Sequence, residues 1–176
     1  MLTYNQIKIE QARGGLFIED FDEKRLNPNS YNLRLSDELL IYEDVVLDPR
    51  VECKTRPIKI PPEGLILEPF RLYLGRTLEW TETPNFIPVI DGRSSLGRYG
   101  LAVHVTAGFG DIGYKGTWTL EILCIQPFVL VPGMEICQIS YHQPYGEITK
   151  RYQGKYQGAK NVLASRLYTE MGGVNK

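Results

Sequence analysis

Between Asp91 and Glu121 the chain gathers hydroxyls, guanidinium groups and carboxylates at a density that core packing does not require. Asp91-Gly92-Arg93-Ser94-Ser95-Leu96-Gly97-Arg98 is followed by Val103-His104-Val105-Thr106-Ala107-Gly108-Phe109, then Asp111, then Glu121 within an apolar run. Hydroxyls and guanidinium groups so spaced suit an anion, and a carboxylate among hydrocarbon neighbours suits proton transfer. The combination reads as a nucleotide site.

Such groups need rigid elements behind them. Thr3-Tyr4-Asn5-Gln6 predicts a capping box that opens a short helix, with Ile7 and Ile9 on its apolar side and Gly14-Gly15 at its end. Strand-like runs then recur at 31–35, 39–42, 65–67, 72–78, 86–90, 101–106, 117–125, 128–131 and 136–141. Turn signals, among them Pro61-Pro62-Glu63-Gly64 and Val131-Pro132-Gly133-Met134, separate them. Many short strands punctuated by Pro and Gly indicate an all-β barrel or double-sheet roll. The one interior helix predicted is short, 94–99, and places Ser94 and Arg98 at i and i+4 on one face, where they can share a ligand.

With 176 residues, 43% of them hydrophobic, the chain has the material for one domain with a real core. No segment approaches the roughly 18 to 20 unbroken apolar residues of a membrane span, and residues 1–15 lack the apolar stretch of a secretory signal, so a soluble, cytoplasmic protein is expected. A formal net charge of −1 gives no global footprint for nucleic acid or an anionic membrane. Locally the balance differs: 148–169 holds Lys150, Arg151, Lys155, Lys160 and Arg166 without an acidic residue. A small polyanion is the partner this implies, with 146–176 as a mobile basic tail or lid hinged at Gly154 and Gly158. Cys53, Cys124 and Cys137 lack C-x-x-C spacing and read as reduced thiols. With only His104 and His142 to add, no zinc site is expected. His104 itself reads as a hydrogen-bonded core or interface residue without a catalytic part.

The motifs together resemble the dCTP deaminases of the trimeric dUTPase superfamily. The resemblance rests on 92–98, on His104-x-Thr106-Ala107-Gly108-Phe109-x-Asp111-x-Gly113-Tyr114-x-Gly116, and on Leu120-Glu121. Asn29 to Leu35, Pro132 to Gln138, Lys155-Tyr156-Gln157-Gly158 and Ala164-Ser165-Arg166 look like the family's flanking segments, in order along nearly the whole chain. It implies a mainly β, distorted jelly-roll or barrel of the dUTPase-like type, with a short N-terminal helix and one short interior helix. It also implies a homotrimer whose sites lie between subunits, Arg93 to Arg98 of one chain facing Asp111 and Glu121 of another.

The implied reaction is hydrolytic deamination at C4 of cytosine without zinc. Glu121 would shuttle protons, while Ser94 and the backbone at Ala107 hold the water and Arg98 stands near the reacting end. The metal-bound water of the zinc deaminases, with its H-x-E and P-C-x-x-C pattern, has no counterpart in the chain. Asp111 corresponds to the aspartate that binds deoxyribose and directs a second water at the α-phosphorus. Main-chain atoms of Thr119, Leu120 and Glu121 are candidates for the base edge. Arg93, Ser94, Ser95, Leu96, Gly97, Arg98, Gln138, Tyr145, Lys155 and Gln157 are candidates for the rest of the nucleotide. Mg²⁺ is expected to arrive on the triphosphate, held by no protein ligand.

The run 106–109 and the short segment 122–128 look like the bifunctional subset that takes dCTP to dUMP and diphosphate. A deaminase that stops at dUTP is the alternative, and a catalytically silent nucleotide sensor a third. A dUTPase without deaminase action is disfavoured, because the tail lacks the Gly-rich, Phe-containing motif of such enzymes. The family also implies competitive inhibition by dTTP, with a shift of the loop around His104 and Ala107. Two departures stand out: Gly110 replaces a usual isoleucine, which would loosen packing under the sugar, and Ala159 replaces a usual glutamine, for which Gln157 is the candidate substitute.

Overall fold

Alternation of apolar and polar side chains builds this molecule, because each strand must turn one face to a core and the other to water. The structure is a computed structural model and describes residues 1–104 and 106–172. Helix α1 (Tyr4–Arg13) precedes β1 (Phe17–Ile18), β2 (Tyr31–Tyr42), β3 (Thr55–Lys59), β4 (Leu65–Leu67), β5 (Tyr73–Thr77), β6 (Thr81–Glu82) and β7 (Ile87–Gly92). Then come α2 (Ser94–Gly97), β8 (Leu101–Val103), β9 (Lys115–Gly116), β10 (Thr119–Cys124), β11 (Phe128–Leu130) and β12 (Glu135–His142).

The main sheet runs β7-β12-β2-β5-β10-β8, with β3 on the side of β2. Its end strands β7 and β8 are joined by α2 and touch, so the sheet curls into a nearly closed barrel. Two small sheets, β1-β6-β9 and β11-β4, close its flanks, and all the pairings are antiparallel. The mainly β barrel with two short α-helices is the architecture expected from the sequence.

Inside lie Leu33, Leu35 and Leu39 of β2, Leu120, Ile122 and Cys124 of β10, and Cys137, Ile139 and Tyr141 of β12. Burial of each such aliphatic side chain stabilises the fold by about 1.5–3 kcal/mol. Cys124 and Cys137 are buried free thiols and Cys53 a half-buried one. Burial pushes the Cys137 thiol far above its ordinary value, which keeps it protonated. No helix of the described residues is long and apolar enough to cross a membrane.

Several details differ from expectation. The runs 31–35 and 39–42 form one strand, because a register irregularity between Leu35 and Leu39 absorbs Ser36-Asp37-Glu38 without ending the pairing. Strand β3 was hidden by Pro57, which its edge position tolerates since β3 pairs only with β2. At α1 the Gly14 left-handed cap forms, φ 76°, but the capping box does not. Tyr4 N–H instead donates to Pro28 O at 2.7 Å, and the Gln6 amide turns forward to Glu10 Oε1 at 2.8 Å. Ile7 is buried as expected, but its companion there is Glu10, bonded also by Arg13 Nε at 2.9 Å, while Ile9 is 49% exposed. Helix α2 is shorter than predicted, and β8 ends at Val103, with Val105 outside the described residues.

Candidate active site

Strand β10 alternates strictly, with Leu120, Ile122 and Cys124 inside, and Thr119, Glu121 and Leu123 on the opposite face. Glu121 is therefore turned away from its sequence neighbours Leu120 and Ile122, and its surroundings come from adjacent strands. Leu74 of β5 lies directly across from it on one side. On the other, the antiparallel pairing of Ile122 with Val103 brings His104 opposite Glu121, and His104 N–H donates to Glu121 O at 2.8 Å.

His104 departs from β8 with φ 57°, a left-handed conformation uncommon for a residue with a side chain. That turn swings its imidazole onto the carboxylate, Nδ1 lying 2.8 Å from Glu121 Oε2. The approach lacks hydrogen-bond alignment, so both buried atoms are at ion-pair distance but without a hydrogen-bond partner. Thus the histidine expected to be a core or interface residue is buried, yet it faces the candidate proton carrier. The motif contained His104, but nothing local revealed which strand it would meet.

Around Glu121 opens a cleft of about 940 Å³. Ala107, Asp111, Thr119 and Lys155 also line it. Its floor is aromatic: Tyr114 packs on Trp118 with ring centroids 4.5 Å apart and meets the edge of Tyr152 at 5.9 Å. Tyr114 donates its hydroxyl to Thr117 O at 2.6 Å, and burial pushes that phenol far above its usual range. Trp118 Nε1 donates to Thr81 Oγ1 at 2.8 Å. Both rings are thereby held in place. Asp111 opens the turn that delivers Tyr114, whose N–H donates to Asp111 O at 3.2 Å.

Gly110 corrects one expectation. Packing beneath it is tight, because a Cβ built there would lie 2.4 Å from Trp118 Cη2 and 2.8 Å from Pro88 Cγ. The space a larger side chain would need is taken by the indole. Gly110→Ala should lower stability by about 1–3 kcal/mol through overpacking. Chemical denaturation measures this, and an unchanged midpoint would show that the ring yields freely.

The tail lies along the cleft. Thr117 N–H donates to Ala159 O at 2.8 Å, Leu163 N–H to Thr119 Oγ1 at 3.2 Å, and Ser165 N–H to the Tyr42 hydroxyl at 3.0 Å. Lys155 stands at the cleft wall, its ammonium over the Tyr156 ring and ion-paired to Glu170. Residues 173–176 of the predicted basic tail lie outside the described residues.

Other candidate residues stand elsewhere. Arg93, Ser94, Ser95, Leu96, Gly97 and Arg98 do not line the cleft of their own chain. Ser94, Ser95 and Arg98 are exposed, while Leu96 is anchored in the core. The side chain of Leu120 is wholly internal, leaving only its backbone for a ligand. Tyr145 is fully exposed away from the cleft. Gln157 spends its amide on the chain, accepting from Lys115 N–H at 2.9 Å and donating to Gly113 O at 2.8 Å. Gln138 is similarly engaged, with Ser30 Oγ and Gly92 O. Leu72, Leu74 and the aromatic floor line the cleft without having been candidate site residues, and His104, expected to be only a core or interface residue, lines it too, because strands, turns and the tail bring them together.

Comparison with known proteins matches this architecture. A family model described as dCTP deaminase-like covers residues 1–144. Proteins named "dCTP deaminase, dUMP-forming" from Clostridium acetobutylicum and Hathewaya histolytica are 52% and 56% identical to the chain, each over 170 residues, 97% of this chain and 98% of theirs. One of the same name from Leptospira biflexa is 54% identical over 170 residues, 97% of each chain. The crystal structure of the 2'-deoxycytidine 5'-triphosphate deaminase from Agrobacterium tumefaciens shares the fold, with a TM-score of 0.64 at 22% identity over 81% of this chain. The present chain spans 48% of that longer one. Identity above one half along almost the whole length, on a barrel that turns the motif's carboxylates into one cleft, is a family relationship: the chain belongs to the dCTP deaminase family.

Proposed function

We infer that the protein deaminates dCTP at C4 and cleaves the triphosphate, giving dUMP, ammonia and diphosphate at the expense of two waters. The observation that carries this reading is Glu121, seated between Leu74 and His104 with one carboxylate oxygen buried at the cleft wall. The names of relatives 52–56% identical over nearly the whole chain support the dUMP-forming outcome.

In this reading Glu121 takes a proton from the attacking water, delivers one to N3 and passes one to the departing amine. Strand β8 pairs only with Ile122–Cys124, so among the described residues the β8-side backbone edge of 119–121 has no strand partner except where His104 N–H meets Glu121 O. That open edge is suited to reading a pyrimidine. Asp111 orients the deoxyribose and the second water, and Ala107 supplies backbone to the first. Lys155 exchanges Glu170 for phosphate, under a tail already latched through Thr119 and Tyr42.

Ser94 and Arg98 would reach the cleft from a second copy of the chain, which makes a homotrimer with shared sites the assembly this reading requires. Among the described residues no three His, Cys, Asp or Glu side chains converge on a point that could hold a metal. Mg²⁺ borne on the substrate's own phosphate oxygens would neutralise their charge. dTTP, which keeps the deoxyribose and triphosphate but lacks a C4 amine, would compete for the same cleft.

The test is incubation with dCTP and Mg²⁺ and resolution of the products. Equal amounts of dUMP and diphosphate are the expected result. Accumulating dUTP would mean a deaminase alone, and unchanged dCTP a binding protein.

A further inference from the structure

Arg93 differs from the residues that follow it. Among the described residues, the side chains of Ser94, Ser95 and Arg98 are exposed and make no hydrogen bond or ion pair. The Arg93 guanidinium, by contrast, is held at two points: Nη1 donates to Glu135 O at 2.9 Å, and Nη2 lies 3.1 Å from Glu135 Oε2. That carboxylate oxygen is itself fixed by Asn32 Nδ2 at 2.9 Å, and Asn27 Nδ2 bonds Asn32 Oδ1 at 2.8 Å. A second pin runs beside the first, from Ser30 Oγ to Gln138 Oε1 at 2.8 Å and from Gln138 Nε2 to Gly92 O at 3.0 Å.

Both pins end on the two residues that precede Ser94, although they start from a turn more than 50 residues away in sequence. Asn32 is buried, and the Arg93–Glu135 pair is about two-thirds buried, with side chains 31% and 33% exposed. A guanidinium carries five N–H donors; one is hydrogen-bonded here and a second nitrogen stands at ion-pair distance from Glu135 Oε2, which leaves donors for an anion. A free arginine loses rotamer entropy when it binds phosphate, whereas one already held has met most of that cost.

We propose that Glu135 and Asn32 are positioning residues for nucleotide binding that act through Arg93, presenting its remaining donors to the triphosphate. This rests on the reading above, in which the turn 93–98 meets the nucleotide. Glu135→Ala should raise KM for dCTP by about five- to tenfold with kcat within about twofold, because the lost interaction serves ground state and transition state alike. Glu135→Gln, which keeps the acceptor oxygen, should recover most of the loss.

A double-mutant cycle with Arg93→Ala separates positioning from mere structural support. If Glu135 works through Arg93, the double variant binds no worse than Arg93→Ala alone. The loss should also grow with phosphate number, so that inhibition by dUTP weakens while inhibition by dUMP stays within about twofold. Should Glu135→Ala fail to fold, Asn32→Ala carries the same cycle. Additive losses, or equal losses for dUMP and dUTP, in a parent that turns over dCTP overturn the proposal alone. A parent inert toward dCTP overturns the underlying reading and this proposal with it.

Discussion

Glu121→Gln should abolish deamination while leaving nucleotide binding near that of the parent. The amide keeps the length and shape of the carboxylate and still offers an oxygen toward His104 Nδ1, 2.8 Å away in the parent. What it loses is the capacity to take up and release a proton between water, N3 and the leaving amine. Positioned acid–base groups contribute about 10²–10⁴-fold, and a residue serving every proton transfer of the step belongs at the upper end. Ammonia release from dCTP should therefore fall by about 10³-fold or more. Calorimetric titration with dCTP should give a dissociation constant within a few-fold of the parent's, since backbone and phosphate contacts are untouched. Turnover near the parent rate would remove Glu121 from the chemistry.

Asp111→Asn should divide the two activities. Asp111 lies at the cleft wall in a turn closed by its own carbonyl, so exchanging carboxylate for amide leaves the turn intact and withdraws only a charge and a proton acceptor. Deamination at the other end of the nucleotide, which the proposed assignment gives to Glu121, should persist. Cleavage at the α-phosphorus, with its water no longer directed by a carboxylate, should drop by about 10²-fold. The variant supplied with dCTP should then accumulate dUTP, resolved from dUMP by chromatography, and size-exclusion behaviour should match the parent's. Equal hydrolysis of added dUTP by both proteins would take Asp111 out of the mechanism.

Strand β10 shows how far the chain could be read unaided. The alternation of Leu120, Ile122 and Cys124 with Thr119, Glu121 and Leu123 is a local pattern of period two, and it turns Glu121 away from the core. Nine apolar runs mark eight of the strands; β3 is masked by Pro57, and β1, β6 and β9 have two residues each, too short for any period to register. The hydrocarbon beside Glu121 does not come from its own apolar run. Adjacent residues in a strand face opposite ways, so Leu120 and Ile122 enclose the core while Leu74 and His104 border the carboxylate.

Residue type and order point to the family and propose a chemical kit: Ser94, Arg98, Asp111 and Glu121, on a β-rich chain that resembles the dCTP deaminases. Long-range register decided how the kit is arranged. Gln138 and Gln157 look available for the nucleotide on paper, yet contacts with Ser30, 108 residues away, and with Lys115, 42 residues away, occupy their amides. The same folding left 93–98 outside the cleft of its own chain and turned His104 onto Glu121. Periodicity and motif spacing are properties of neighbours along the chain. Which polar atom ends up beside which is a property of strands that meet only after the barrel has closed.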